Sequence, residues 1–312
     1  MNPRCITGLE NTPDEARRCV LTVGNFDGVH LGHQSIIASA RALADAEGLP
    51  VVAMTFDPPP DLVLRPDDPP RRLTLADRRA ELLLAAGADY AVTARTNMEL
   101  LSLEPKDFVN EILVGYFEPK HIVEGNNFFY GRRRAGDVGT LRESGVECGF
   151  TVHLAEPIVS DFGDGPVLIS STLIRRMLLA GRVETAGQAL GRRFEICGTV
   201  VEGFQRGREM NYPTANVDPG RQITPCDGVY AGAARVDSKQ YAAAISIGDQ
   251  PTFAGVERTI EAFLLDVDAC FYDKTMTLDF AARLRDQVKF DSPAELTQQM
   301  RKDVERVREI IG

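Results

Sequence analysis

The chain has 312 residues, 44% of them hydrophobic and 26% charged, so it can bury sizeable cores, and its length favours two domains. A formal charge of −10 argues against general binding to nucleic acid or anionic membrane, so any phosphate ligand must be gripped by local charge. Met1-Asn-Pro-Arg-Cys5 lacks the order of a signal peptide and no run approaches about 18 apolar residues, so a cytoplasmic protein without membrane partners is expected.

In chain order, Val20–Val23 reads as a buried strand. Leu31–Glu47 reads as a helix whose Ile36, Ile37, Ala40, Leu43 and Ala44 share one face. Val51–Phe56 is a second strand, followed by a Pro-rich loop from Asp57-Pro-Pro-Pro60 to Asp68-Pro-Pro70. A helix around Ala76–Ala86, a strand Tyr90–Thr93, a helix near Lys106–Tyr116 and a strand His121–Glu124 continue the alternation. Such alternation implies a mostly parallel, doubly wound sheet. Helical patterns at Thr172–Ala180 and Glu184–Leu190 end at Gly191. Strand-like runs then follow at Phe194–Glu202, Gly228–Val236, Tyr241–Ile247, Thr259–Leu265 and Thr275–Phe280, spaced as in a barrel or a sandwich. A closing helix carries Leu296, Met300, Val304, Val307 and Ile311 in one stripe. The change of pattern puts the domain boundary near 186–192. The six cysteines form no Cys-x-x-Cys pair and read as buried thiols rather than disulfides or zinc ligands.

Two of the chain's four histidines fall in Gly24-Asn-Phe-Asp-Gly-Val-His-Leu-Gly-His-Gln34, at a strand-to-helix turn. A helix N-terminus offers unpaired N–H donors and partial positive charge to a phosphate. Gly28 and Gly32 remove side chains where backbone must approach a ligand. His30 and His33, three residues apart, face the same way once helical. Imidazoles so placed can donate to phosphate oxygens, which suits nucleotidyl transfer by positioning and charge stabilisation.

This stretch resembles the signature of bacterial bifunctional riboflavin kinase/FMN adenylyltransferases, also called FAD synthetases; the wider nucleotidyltransferase superfamily shares only its His-x-Gly-His. The resemblance covers nearly the whole chain. Ile169-Ser-Ser-Thr-Leu-Ile-Arg175 is similar to the family's second nucleotide motif. There Ser171 and Thr172 could cap a helix, with Arg175 one turn on, to grip departing pyrophosphate. Gly125-Asn-Asn-Phe-Phe-Tyr-Gly131 follows a strand end, where α/β folds bind ligands. It resembles a family loop Gly-x-(Asp/Asn)-Phe-x-Phe-Gly, with Tyr130 in place of Phe. Asn127 and Phe128 are expected at the flavin or adenine, and Arg132–Arg134 reads as a solvated charge run. In Thr55-Phe-Asp-Pro-Pro-Pro60, Pro59 stands where the family carries His.

Gly203-Phe-Gln-Arg-Gly-Arg-Glu-Met-Asn-Tyr-Pro-Thr-Ala-Asn216 resembles the flavokinase signature, with Asn211 in place of Gly. Thr214 and Asn216, two apart in an extended segment, project to one side as an oxygen pair suited to Mg²⁺. Gly207 and Arg208 are expected at the ATP phosphates. In Arg258–Asp266 the alternation sets Ile260, Ala262 and Leu264 on one side and Glu261 and Phe263 on the other. The resemblance makes Glu261 the base for riboflavin's ribityl hydroxyl. Ile247-Gly-Asp-Gln-Pro-Thr-Phe253 matches a family segment expected to form a ligand-bordering loop.

The resemblance implies a Rossmann-like nucleotidyltransferase domain with a parallel sheet over 1–186 and a small β-barrel flavokinase domain with a C-terminal helix over 187–312. The barrel would phosphorylate riboflavin to FMN; the first domain would join FMN to the AMP portion of ATP, giving FAD and pyrophosphate. Mg²⁺ would serve both. His30, His33, Asn127 and Arg175 would stabilise charge, with Gly24, Phe26, Gly28, Gly32, Ser171 and Thr172 around the nucleotide. Partners would be small molecules, with no nucleic acid; a homo-oligomer is compatible. The rivals are a protein with one of the two activities, a nucleotidyltransferase for another phosphomonoester, and a non-catalytic flavin-binding regulator.

Overall fold

The structure, a computed structural model, describes residues 4–202, 213–252, 255–267 and 269–312. Met1–Pro70 with Leu75–Ser170 make one unit, and Arg71–Thr74 with Ser171–Gly312 the other. The first unit opens with β1 (Cys5–Thr7), β2 (Val20–Val23), α1 (Leu31–Glu47) and β3 (Val51–Asp57). Helices α2 (Pro60–Leu64) and α3 (Ala76–Ala85) precede β4 (Tyr90–Arg95), α4 (Met98–Ser102) and α5 (Pro105–Asp107). After β5 (His121–Glu124) come β6 (Phe129–Tyr130), β7 (Gly136–Asp137), α6 (Val138–Cys148), β8 (Thr151–Leu154), β9 (Val159–Asp161) and β10 (Pro166–Leu168).

Six strands lie in the order β1-β4-β3-β2-β5-β8, all parallel. Both faces are covered, which is why central β2 and the first five residues of β3 are buried without alternation. Leu21, Val52, Met54 and Val92 pack on one side with Leu113, Phe117 and Leu141. Val20, Val51, Ala53 and Ala91 pack on the other with Ile37, Ala40 and Leu83. The helix expected near Lys106–Tyr116 is present, but a single α turn passes into π-helical backbone over Phe108–Phe117. Its buried Phe108, Val109, Ile112, Leu113 and Phe117 recur at four- to five-residue intervals, matching the wider i→i+5 turn.

From β2 the chain builds β3 and β4 to one side, then returns to lay β5 and β8 on the other. The order therefore reverses between β2 and β5, the position at which open α/β sheets bind ligands. Their last paired residues are Leu21 and Ile122. Beyond these, the N–H of Val23 donates to Glu124 Oε1 at 2.6 Å.

The second unit begins with α7 (Ser171–Leu179) and α8 (Val183–Leu190), helices that the change of pattern attaches to the first half of the chain. Strands β11 (Phe194–Val201), β12 (Thr214–Asp218), β13 (Gly228–Val236), β14 (Lys239–Thr252), β15 (Gly255–Leu264) and β16 (Thr275–Arg285) precede α9 (Pro293–Ile311). They close into an antiparallel barrel in the order β11-β12-β15-β14-β13-β16, which decides between barrel and sandwich. Helix α9 seats Val307 against Ala231 and Leu265, with Val304, Ile310 and Ile311 beside it. Arg285 fastens it by gripping Asp303 through Nε and Nη2 at 2.7–3.1 Å. All six cysteines are free thiols, but only Cys19 is buried and Cys270 is exposed, which corrects the expectation of buried thiols. Cys5 and Cys197 sit on strands at half-covered positions.

Burial holds the Glu124 carboxyl well above its ordinary value, only partly offset by the Val23 N–H. The unfolded chain ionises above 4.5 while the folded carboxyl stays protonated, so stability is lost as pH rises. Glu124→Gln keeps an oxygen for Val23. Between about pH 4 and about pH 7.5 the stability difference should move in favour of the Gln variant by about 1 kcal/mol or more. Urea melts at both pH values check this; an unchanged difference would mean that Glu124 is ionised in the fold.

Candidate active sites

Strand β2 ends at Val23, and the chain turns through left-handed backbone at Phe26 (φ 45°), Gly28 (φ 87°) and Val29 (φ 40°). A β-branched residue there is strained, and such strain collects where ligands bind. The turn is held by Val29 N–H donating to the Phe26 carbonyl at 3.0 Å and Gln34 Nε2 donating to the Val29 carbonyl at 2.8 Å. His30 is the N-cap of α1, and His33 lies in its first turn. Their rings stack with centroids 3.6 Å apart and planes 20° apart. The buried Phe26 ring meets His33 edge-on at 5.2 Å. A Cβ on Gly32 would stand 3.1 Å from the His30 ring, and one on Gly24 would stand 3.2 Å from Phe26. Gly24 and Gly32 thus make room for the protein's own rings, and Gly28 supplies the backbone turn.

Burial holds His33 well below its ordinary value, and the facing His30 ring adds to this. His33 is therefore neutral near pH 7, and its Nδ1 is buried with no hydrogen-bond partner among the described residues. A neutral imidazole carries one N–H to donate and one nitrogen to accept. Approach of an anionic phosphate favours the protonated form, so charge would arrive with the ligand.

Two ionisable side chains at this edge of the sheet carry no motif in the sequence. Arg79, on α3, is 1% exposed and donates from Nη2 to the Phe56 carbonyl at 2.7 Å. Burial lowers its pKa, opposed by the charges of Asp27, in the histidine turn, and Asp57. Glu124 is the other. Its signal was available, as a carboxyl following the apolar pair Ile122 and Val123 at a strand end; Arg79 gave none until the sheet order was known.

The loop after β5 leaves Asn127 exposed, Phe128 half-buried and Tyr130 buried. Phe128 stacks on Tyr130 at 5.5 Å, and Tyr130 packs on Phe108 at 5.7 Å. The hydroxyl that distinguishes Tyr130 from the family's Phe meets Thr140 Oγ1 at 3.3 Å. The exposed ring is Phe129, with the Arg134 guanidinium 4.8 Å above it, while Arg132 pairs with Glu104 at 2.9 Å. Arg132, Arg133 and Arg134 are all exposed, as expected of a solvated charge run, with two of them also touching surface protein groups. Pro59 is the N-cap of α2 and brings no proton-bearing group.

Ser171, Thr172 and Arg175 belong to the second unit. Ser171 and Thr172 are the first two residues of α7 rather than its cap, and Arg175 donates from Nε to the Arg71 carbonyl at 2.8 Å. In the barrel, Asn216 on β12 lies opposite Glu261 on β15, which lies opposite Ser246 on β14. Thr214, two residues from Asn216, shares that face, and its hydroxyl donates to Glu261 Oε2 at 3.4 Å. Ile260, Ala262 and Leu264 are buried on the other face. A hydroxyl, an amide and a carboxylate form an all-oxygen set that fits a hard cation such as Mg²⁺. Beside them is a cleft of about 60 Å³ lined by Val200, Pro213, Thr214, Ala215, Leu264 and Tyr272. Gly207, Arg208 and Asn211 lie outside the described residues. The expected loop at Ile247-Gly-Asp-Gln-Pro-Thr is corrected: it is the end of β14, paired with β15 as far as Thr252 and Gly255.

Two family models match the chain, FAD synthetase over residues 12–173 and riboflavin kinase over residues 190–311. The bifunctional riboflavin kinase/FMN adenylyltransferase of Pseudomonas fluorescens is 36% identical over 304 residues, 97% of this chain and 96% of that protein. The protein of the same description from Escherichia coli K12 is 34% identical over 310 residues, 99% of this chain and 97% of that one. A crystal structure from Streptococcus pneumoniae, described as a macrolide-efflux protein, superposes with a TM-score of 0.87 at 29% identity, over 98% of this chain and 99% of that one. Efflux is said of that protein; among the described residues here no helix is long and apolar enough to cross a membrane. With both halves matched in order and relatives aligned almost end to end, the chain belongs to the bifunctional riboflavin kinase/FMN adenylyltransferase family.

Proposed function

We propose that this chain makes FMN and then FAD, with adenylyl transfer assigned to residues 1–186 and riboflavin phosphorylation to residues 187–312. The reading is carried by one observation above the others: an imidazole pair on the parallel-sheet unit and an oxygen cluster on the barrel each fall inside the matching family block.

In the kinase step, Glu261 takes the proton of riboflavin's ribityl hydroxyl as that oxygen attacks the γ-phosphorus of ATP and the bond to ADP breaks. Thr214 and Asn216 would hold Mg²⁺, which would neutralise phosphate charge. Gly207 and Arg208 are assigned to the ATP phosphates.

In the adenylyl step, an FMN phosphate oxygen attacks the α-phosphorus of ATP, and the bond to pyrophosphate breaks without a covalent enzyme intermediate. His30, His33 and the N-terminus of α1 supply donors to the phosphate oxygens. Ser171 and Thr172 are assigned to phosphate, Arg175 to the departing pyrophosphate, and Asn127 and Phe128 to the flavin. Gly24, Phe26, Gly28 and Gly32 shape the nucleotide side of that site. Pro59 cannot do what the family's histidine does there, so proton and charge work rests on His30 and His33.

His33→Ala should remove most FAD formation from FMN and leave riboflavin phosphorylation nearly intact. Chromatography of products from ATP/Mg²⁺ incubations with riboflavin or with FMN reads both, and equal loss in a folded variant would sink the two-site assignment. Glu261→Gln should lower kinase turnover by about 10²-fold or more, the usual worth of a positioned base. Calorimetry should find ATP affinity kept; lost affinity with unchanged turnover would make Glu261 a binding residue instead.

Asn211 tolerates left-handed backbone better than most residues, so its replacement of Gly is compatible with a working kinase. Asn211→Gly should change kinase turnover by less than about tenfold. A wild type unable to form FMN, restored by Asn211→Gly, would favour the narrower reading of an adenylyltransferase alone.

A further inference from the structure

Arg71–Thr74 are numbered among the first unit's residues but pack with the second. Arg72 N–H donates to the Arg221 carbonyl at 3.0 Å, and Ile223 N–H donates to the Arg72 carbonyl at 2.7 Å, forming an isolated parallel bridge. Leu73 and Thr74 are each 2% exposed. The segment is pinned from one side by Gln222, which is 1% exposed. Its Nε2 donates to the Leu73 carbonyl and to the Glu195 carbonyl, both at 3.2 Å, while its Oε1 accepts from Cys197 N–H at 2.8 Å. At the near end, the Arg71 carbonyl accepts from Arg175 Nε at 2.8 Å.

A guanidinium is planar and rigid. Anchoring Nε fixes its plane, and with it the direction in which the Nη fork points. The anchor is a main-chain carbonyl, so its position is set by whatever holds that main chain. A buried amide bonded to buried main-chain groups is costly to break, so Gln222 holds the segment firmly. Small displacements of a positioning group cost rate steeply.

We infer that Gln222, in the kinase half of the chain, is a positioning residue for adenylyl transfer, acting through Arg71–Thr74 on the guanidinium of Arg175. This rests on the proposed assignment of Arg175 to pyrophosphate. Gln222 touches no group assigned to FMN, so its loss should appear in kcat rather than in KM for FMN.

The test is a double-mutant cycle on the full chain, with both activities measured in wild type, Gln222→Leu, Arg175→Lys and the double variant. Gln222→Leu should lower kcat for FAD formation by about tenfold or more, with KM for FMN within about threefold and kinase turnover within about twofold. Arg175→Lys, which has no Nε–H, should lose adenylylation as well. The double variant should be no worse than Arg175→Lys within about threefold, because both changes remove one interaction.

Multiplicative losses in the double variant, or full FAD formation by a Gln222→Leu protein with an intact kinase, would overturn the inference. Full FAD formation by Arg175→Lys would overturn the assignment of Arg175, and the inference with it. A wild type that forms no FAD would instead defeat the proposed function. Should Gln222→Leu lack kinase activity because it does not fold, Arg72→Pro is held to the same expectations. It deletes the N–H given to Arg221 and leaves the bonds from Gln222 to β11 in place.

Discussion

Where β2 parts from β5, the sheet ladder ends before the strands do, and the first unit is arranged around that parting. Leu21 and Ile122 are the last residues to pair, so Val23 N–H must find another acceptor. A buried main-chain donor left unpaired would be costly. The Glu124 carboxyl takes it, and the chain is then released into the left-handed turn that delivers His30 to the end of α1. The crevice is thus a consequence of strand order, and the histidine stack is a consequence of the turn beside it.

The stack has its own logic. Two imidazoles 3.6 Å apart cannot both hold a proton cheaply, and burial already disfavours charge on His33. The free protein therefore presents His33 as a neutral imidazole, and an anionic substrate supplies the field that makes its protonation favourable. The barrel solves the related problem of phosphate charge with oxygen rather than nitrogen. Thr214, Asn216 and Glu261 share one face of two neighbouring strands, while the alternate positions fill the interior. The period of two along β15 is what allows one strand to serve both a core and a site.

Much of this was legible in the sequence. Val20–Val23, Leu31–Glu47, His121–Glu124 and Gly228–Val236 end where their apolar patterns end, because burial on both faces or on one stripe constrains every residue. Strands β1, β8 and β12 were not legible. Cys5–Thr7 and Thr151–Leu154 are edge strands, too short and too exposed to show a pattern. Thr214–Asn216 reads as an extended segment, but only pairing with β11 and β15 makes Thr214–Asp218 a strand. The π-helical path of Phe108–Phe117 was also hidden, since its apolar residues suit either helix over so short a run.

By itself, the sequence determined the classes of the two halves, the family, and the residue types that can meet phosphate. These depend on local spacing: His-x-Gly-His on a helix start, Thr-x-Asn in an extended segment, and apolar runs separated by helices. Tertiary structure alone decided which distant residues those motifs lean on. Arg79 donates to the Phe56 carbonyl, Glu124 answers Val23, and Gln222 holds the segment whose carbonyl anchors Arg175. Each is a single polar side chain spending its hydrogen bonds on backbone or charge far away in the chain, and such partnerships leave no periodicity to read. They exist only once strand order and barrel closure have brought the partners within about 3 Å, the range at which a hydrogen bond has any strength.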